Sequence, residues 1–146
     1  MSSLLPLSFL DERLSFALYS SSKAVVGLHQ PYLSEIGLTY PQYLVFLALS
    51  EHQEVSVREL GELLFLNSAT LTPLLQRMAS ADLVVRTRST VDERITLVRL
   101  TEKAKELQPK IAEMQQKVRS AVGLDPSEFA RLRQQLKDLN TSVRES

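Results

Sequence analysis

The chain contains no cysteine. That removes disulfides, thiolate metal sites and thiol nucleophiles together. Two histidines, His29 and His52, are too few soft ligands for a structural zinc site. Neither a metal nor a cofactor is expected. Glycine is scarce too: Gly27, Gly37, Gly61 and Gly123 are scattered, and none precedes a Lys-Ser/Thr pair, so there is no phosphate loop. A Gly-x-Ser-x-Gly elbow is missing. No catalytic residue can be assigned, and an enzyme is not expected. No apolar run approaches the roughly 18 residues that a membrane span requires. The opening residues Met1 to Pro6 lack the basic n-region and long apolar core of a secretory signal, which points to the cytoplasm. Excess charge of one sign is lacking as well, with 17 basic residues against 17 acidic ones. Zero net charge argues against non-specific coating of nucleic acid, which needs a broad positive surface. It leaves room for a specific binder with a few well-placed charges.

What the chain does hold is helical patterning around a short β-rich stretch. Its 146 residues, 44% hydrophobic and 23% charged, fit one soluble domain. From Ser8 to about His29, Leu10, Leu14, Ala17, Ser21, Val25 and Leu28 recur at steps of four and three, a near-heptad helical seam that Pro31 interrupts. Thr39 and Gln42 form a capping box with Pro41 in the first turn, predicting a helix from Tyr40 to about His52. Its Tyr43, Leu44, Leu47 and Ala48 read as buried.

Ser56 and Glu59 make a second capping box, opening a helix whose inner face is Val57, Leu60, Leu63 and Leu64. Phe65 and Leu66 make the turn, and Asn67 or Ser68 caps the next helix. That helix turns Leu71, Leu74, Leu75 and Met78 toward the core. Pro73 falls past the first turn of a helix capped by Asn67, so a tightened or late-starting helix is expected. Leu83 to Arg88 and Ile95 to Leu100 are short β-branched segments joined by the turn-forming Ser89 to Glu93, which reads as a hairpin. Helix resumes beyond Thr101 with the stripe Ile111, Met114, Val118 and Ala121. Asp125, Pro126 and Glu128 then start a last helix that repeats Phe129, Leu132, Leu136, Leu139 and Val143.

The fold class that follows is mainly α with a small β-hairpin wing: a winged helix-turn-helix over 39–101, flanked by N- and C-terminal dimerisation helices over 1–36 and 102–146. The terminal seams have no strand pattern to pack on. They are covered most simply by each other and by a second copy, and a twofold homodimer would match a palindromic DNA operator. A monomeric bundle closing over itself is the plainer alternative.

Opposite the leucine stripe of the second helix lie Ala69, Thr72, Pro73 and Gln76, with Ser68, Thr70 and Arg77 on the flanks. These small and polar groups can approach base edges in double-stranded DNA: Gln pairs with adenine, Ser and Thr bond several bases, and a proline ring can meet a thymine methyl. Every cation between Ala24 and Glu102 is an arginine, whose planar fork suits phosphates and guanine edges. Arg86, Arg88 and Arg94 lie on the ribbon, and Arg94 is expected to enter a narrow minor groove while Asp92 shapes the wing and holds a neighbouring arginine. A solvated turn with an exposed ion pair is the plainer reading of the same residues. A reading from another class is a helical dimer that binds only proteins through a repurposed winged helix.

Three segments resemble a known family. Leu38 to Val45 (LTYPQYLV), Leu60 to Met78 (LGELLFLNSATLTPLLQRM) and Asp92-Glu93-Arg94 are similar to the MarR family, and more narrowly to its organic-hydroperoxide-sensing repressors, the OhrR group. The likeness runs from about Leu14 to Glu102. It implies a single domain over 1–146 and a homodimeric repressor that leaves its operator when a sensing cysteine is oxidised. That cysteine would lie in the stretch Leu14 to Tyr19, where this chain has Ser15 followed by Phe16. Tyr19 and Tyr40 match two tyrosines that surround the thiol in that group, and His29 stands where a third is usual. The resemblance sets Ser120 at the place of the partner thiol of two-cysteine members. A serine hydroxyl is not ionised near neutral pH and cannot climb the sulfenic-acid ladder. The resemblance therefore leaves two explanations: a Cys→Ser replacement that mimics the reduced form, or a natural divergent member released by a small molecule in the same pocket.

Overall fold

The computed structural model describes residues 9–146. Ser8, from which the first seam was read, and residues 1–7 of the expected dimerisation region lie outside the described residues. A single 3-10 turn, Leu10–Glu12, precedes eight helices and three strands: α1 (Leu14–Gly27), α2 (Gln30–Ile36), α3 (Tyr40–His52), β1 (Glu54–Ser56), α4 (Val57–Leu64), α5 (Ser68–Ser80), β2 (Val84–Arg88), β3 (Thr96–Leu100), α6 (Glu102–Lys105), α7 (Gln108–Val122) and α8 (Pro126–Glu145).

The first helix is shorter than its seam suggested. It starts at Leu14 and stops at Gly27, and Pro31 then sits in the first turn of α2 rather than in a continuing helix. Helix α3 is the central element. Thr39 and Gln42 cap it reciprocally, with Gln42 N–H donating to Thr39 Oγ1 at 3.3 Å and Thr39 N–H to Gln42 Oε1 at 3.0 Å. It buries Tyr43, Val45, Phe46, Ala48 and Leu49. A fully buried aliphatic side chain contributes roughly 1.5–3 kcal/mol, so this face anchors the domain. Leu33, Leu60, Leu71, Leu74, Leu75 and Met78 close over it from α2, α4 and α5.

The sheet has three strands where two were read from the sequence. β1 pairs antiparallel with β3, which pairs with β2, so the order is β1-β3-β2. Val55 of β1 lies opposite Val98 of β3, and both are buried. A three-residue strand carries too little period-two pattern to be seen alone, and here the Ser56 cap of α4 overlaps it. The helix beyond Thr101 also divides. α6 ends at Lys105 and α7 begins at Gln108 with Pro109 in its first turn; Pro109 has no N–H to offer the Lys105 carbonyl, so the i→i+4 ladder breaks there. Ile111, Met114 and Val118 of α7 are buried as read, but Ala121 is exposed. Helix α8 starts from the Asp125 capping box, with Glu128 N–H donating to Asp125 Oδ1 at 2.9 Å.

Between α4 and α5 the chain reverses within three residues. Phe65 takes left-handed geometry (φ 56°), Leu66 N–H donates back to the Gly61 carbonyl at 2.9 Å, and Asn67 Oδ1 accepts from Thr70 N–H at 2.9 Å. This is a Schellman-type ending followed directly by an N-cap. Leu63, expected on the inner face of α4, is exposed; only Leu60 of α4 is fully covered, with Val57 and Leu64 half-buried. The core therefore reaches a narrower stripe of α4 than the spacing allowed. Helix α5 starts at Ser68 despite Pro73, so the late start does not occur. Thr70 N–H reaches the Asn67 carbonyl at 3.2 Å as well as its side chain, a tightening confined to the first turn.

The α4–α5 turn generates a test. A Cβ placed on Gly61 would meet the Leu66 carbonyl oxygen at 2.8 Å and Leu71 Cδ2 at 3.6 Å. Gly→Ala inside an exposed helix ordinarily stabilises by about 1 kcal/mol. Gly61→Ala is expected to destabilise instead, lowering the urea midpoint of the chain at fixed protein concentration. A raised midpoint would show that the turn does not pack as described.

Candidate nucleic-acid interface

Asn67 fixes the start of α5, and the buried stripe Leu71, Leu74, Leu75 and Met78 fixes its rotation. The residues left facing out are Ser68, Ala69, Thr70, Thr72, Pro73, Gln76 and Arg77, all exposed. Ala69, Pro73 and Gln76 lie on the line farthest from the core, since they are displaced from the buried stripe by about half a turn. Among the described residues, the side chains of Ser68, Thr70, Thr72, Gln76 and Arg77 make no hydrogen bond or ion pair. The face presents unsatisfied donors and acceptors on a rigid helix.

The ribbon end is built around Asp92. Ser89 Oγ accepts from Val91 N–H at 3.2 Å and Asp92 N–H at 3.3 Å, closing the turn. Asp92 Oδ1 accepts from Arg94 N–H at 3.0 Å and Arg94 Nε at 3.1 Å, while Oδ2 accepts from Arg94 Nη2 at 3.0 Å. Arg88 Nη1 donates to the Glu93 carbonyl at 2.8 Å. The arginine that Asp92 holds is thus Arg94 itself, and it keeps Arg94 extended at the rim with its side chain 90% exposed. Arg94's side chain and backbone bonds hold the Asp92 carboxyl below its ordinary value, and Asp92 raises Arg94 in return. Val91 projects at the tip, almost fully exposed. Arg86 and Arg88 share one face of β2, opposite Val98 and Thr96 of β3, and both are exposed.

An open groove of about 1360 Å³ runs between the α4–α5 turn and the wing, from Arg58, Phe65, Asn67 and Ser68 to Asp92, Arg94 and Ile95. The start of α5 and the arginine-bearing wing tip therefore flank one channel. Arg86, Arg88 and Arg77 are not among the residues lining it. Two contributors were missed in the sequence. Arg58 pairs with Glu62 at 3.4 Å on the groove wall, an i,i+4 pair whose spacing was readable. Arg144, near the end of α8, stacks on the Phe65 ring at 4.2 Å from its centroid, a contact across the fold that no local pattern signals.

Of the expected sensor residues, His29 and Tyr40 come together, and Ser15, Phe16 and Tyr19 do not join them in one copy of the chain. His29 is buried, with Nδ1 at 3.1 and 3.2 Å from the carbonyls of Val25 and Val26. Its ring meets the edge of Tyr40 at 5.0 Å and lies 5.6 Å from Tyr43. Gln115 Nε2 donates to Tyr43 Oη at 2.8 Å. Burial pushes both tyrosines upward, and for Tyr43 the Gln115 bond works against that. Tyr43 and Gln115 were not foreseen as members of this cluster. Ser15, Phe16 and Tyr19 stand on α1 and are exposed, Tyr19 by 62%. No ring contact or hydrogen bond among the described residues links them to the His29 cluster. Ser120 is exposed near the end of α7.

No described helix is long and apolar enough to cross a membrane. Among the described residues no group of three His, Asp or Glu could hold a metal ion.

Residues 27–111 match the family described as transcriptional regulator SarA/Rot. The HTH-type transcriptional regulator SarZ of Staphylococcus epidermidis is 36% identical over 134 residues, covering 92% of this chain and 90% of that protein. The organic hydroperoxide resistance transcriptional regulator of Bacillus subtilis is 46% identical over 93 residues, 64% of this chain and 63% of that protein. Among solved structures, reduced AbfR bound to DNA, from Staphylococcus epidermidis, superposes with a TM-score of 0.79 at 27% identity, covering 93% of each chain. These proteins are transcriptional regulators, not enzymes, as the missing catalytic motifs implied. The matched family carries a different name from the one the motifs suggested, while the Bacillus relative is of the hydroperoxide group they pointed to.

The wing gives a prediction about pH. Asp92 is depressed in the folded chain, so its bonds to Arg94 are complete above the ordinary carboxylate range near 3.9 and are lost as pH falls through the lowered value. An NMR titration should place the Asp92 midpoint below its ordinary value, and Arg94→Ala should move it back up. An ordinary midpoint in the parent chain would mean that the pair does not form in solution.

Proposed function

The chain belongs to the SarA/Rot family of winged-helix transcriptional regulators, and on that premise we propose that it is a homodimeric, sequence-specific DNA-binding repressor. The observation that carries this reading is the shared placement of two features around one groove: the unbonded outer face of α5 and the wing that Asp92 and Arg94 shape. In this reading α5 lies in a major groove, with Ser68, Ala69, Thr70, Thr72, Pro73 and Gln76 near base edges and Arg77 near phosphate. Arg94 reaches the adjacent minor groove, and Arg86 and Arg88 meet the phosphates beside it. The sugar-phosphate strand between the two grooves would run along the channel from Asn67 to Arg94. The DNA in the AbfR structure supports the same choice of partner.

Twofold pairing is supported by what the single chain leaves open. Neither α1 nor α8 has a buried residue. Leu14 is 62% exposed, and Leu132, Leu136 and Val143 are 46%, 42% and 62% exposed along one side of α8. A monomer closed over its own helices would have covered them. A second copy would cover both seams and set two α5 helices facing a palindromic operator about one turn of duplex apart.

The relative from Bacillus supports an organic-hydroperoxide stress response as the regulated process; a regulator of DNA in this reading works in the cytoplasm. Ser15 then stands at the sensing position and holds the chain in its DNA-binding form. The second reading, favoured by the cluster of buried His29 and Tyr43 with half-buried Tyr40 and exposed Gln115, is release by a small molecule bound beside it.

Two experiments test this. A duplex selected by the protein from a random library should be palindromic and bound in a salt-dependent way, and Arg94→Ala should weaken it roughly tenfold or more while Arg77→Ala lowers the salt slope by about one. Binding indifferent to sequence and to Arg94 would overturn the proposal. For the sensor, the parent chain should stay on its operator in the presence of organic hydroperoxide, and Ser15→Cys should be released by it. Release of the parent at low peroxide would place sensing elsewhere, and an unresponsive Ser15→Cys chain would favour the ligand reading.

A further inference from the structure

The groove between the α4–α5 turn and the wing is lined by two arginines, Arg58 and Arg94, and by three carboxylates, Glu59, Glu62 and Asp92. That balance repels a phosphate strand unless each carboxylate has another task. Two of them have one. Asp92 accepts three hydrogen bonds from Arg94 at 3.0 to 3.1 Å. Glu59 closes the cap of α4, where its Oε2 accepts from Ser56 N–H at 3.2 Å. Glu62 has no such role. Among the described residues its ion-pair partner is Arg58, with Nε and Oε1 3.4 Å apart and the two side chains 90% and 68% exposed. That separation exceeds the roughly 3.2 Å of a good N–H···O bond, so the guanidinium keeps its donors free.

Helix stability does not explain this pair. Arg58 stands in the first turn of α4 and Glu62 in the last. The helix dipole disfavours a cation at the first and an anion at the second. An acid four residues before a base is also the better order, and here that order is reversed. Their spacing of four puts both side chains on one face of α4, turned away from the buried Leu60 and onto the groove wall. An exposed pair set against both local preferences points to a use outside the helix.

We propose that Arg58 is a second phosphate-binding arginine of this groove, and that Glu62 restrains it until a DNA phosphate takes the carboxylate's place. The guanidinium then exchanges one long, solvated ion pair for a bidentate contact with phosphate oxygens. Arg58 on α4 and Arg94 on the wing hold the sugar-phosphate strand from two sides. Phosphate contacts position a protein without reading sequence, so Arg58 adds affinity for any duplex and Glu62 lowers it for any duplex. The chain thereby limits non-specific binding at the groove itself. This inference rests on the reading that DNA occupies the groove.

The test is a double-mutant cycle on the selected operator, titrated over a series of salt concentrations. Both positions are exposed and neither caps the helix, so the variants keep the fold. Arg58→Ala should lower the salt slope by about one and weaken every duplex alike, while Arg58→Lys keeps the slope. Glu62→Gln should tighten binding about two- to fivefold, the scale of an exposed ion pair. In an Arg58→Ala chain the same glutamine change should lose most of that gain. An equal gain in both chains would mean that Glu62 repels phosphate directly and does not restrain Arg58, which overturns the inference. So does an unchanged slope in Arg58→Ala, and if Arg94→Ala still weakens binding in that case the proposed function stands. A parent without salt-dependent operator binding overturns both.

Discussion

The reversal between α4 and α5 constrains everything built on it. Gly61 and the Leu66 carbonyl approach so closely that no side chain fits between them, and Leu71 seals the other side. The same few residues end one helix and start the next, so the direction of α5 is fixed by backbone hydrogen bonds and not by side-chain packing alone. With that direction set, the leucine stripe can settle rotation only one way, and the face carrying Thr72 and Gln76 is forced outward. A looser connection would let α5 roll and trade its outer face against its inner one. The rigidity of a reading surface is therefore a property of a turn that carries none of the polar groups of that surface. Arg144 stacked on Phe65 adds a tie from the end of α8 to this turn.

The distribution of burial divides the chain into a finished part and an unfinished one. From α2 through α7 the apolar residues close over α3, while α1 and α8 carry apolar side chains that the single chain does not cover. Helices of 14 and 20 residues are marginal in water without tertiary support, and a leucine seam left wet costs the burial energy that would hold it. The caps at Asp125 and the Phe129 ring held against Arg119 at 3.9 Å secure the α7–α8 hairpin locally. They do not supply a core. This imbalance is what a partner copy would correct, and it is also why Ser15 and Tyr19 stand apart from His29 and Tyr40 within one chain.

Local chemistry was legible in the sequence, and tertiary chemistry was not. The boxes at Thr39, Ser56 and Asp125 and the cap at Asn67 form as read, because each needs only a side chain and a backbone N–H three residues away. The hairpin and the stripe of α5 follow from period alone. β1 escaped notice because three residues gain strand identity only by pairing with β3, some forty residues later in the chain. Leu63 was misplaced since helical spacing gives a face but not how much of it a neighbour reaches. The cluster of His29 with Tyr43 and Gln115 joins the α1–α2 turn, α3 and α7, and nothing in any one segment announces the other two.

A chain with no net charge must draw nucleic-acid affinity from position, and in the proposed reading the wing would be one such position. Arg94 is already bonded to Asp92 at both oxygens, which would appear to spend its charge before any DNA arrives. In water that exposed pair contributes little to stability. What it contributes instead is order. A free arginine loses considerable rotamer entropy when it is fixed, whereas one held in a fork by a short carboxylate has given up much of that freedom beforehand. The remaining N–H donors of the guanidinium point away from Asp92 and stay available. The negative charge of Asp92 weakens long-range attraction to phosphate, so the wing gains geometric selectivity at the expense of non-specific affinity. That exchange suits a neutral protein: contacts made at the wrong spacing gain little from bulk electrostatics, and those made at the right spacing meet an arginine already in place.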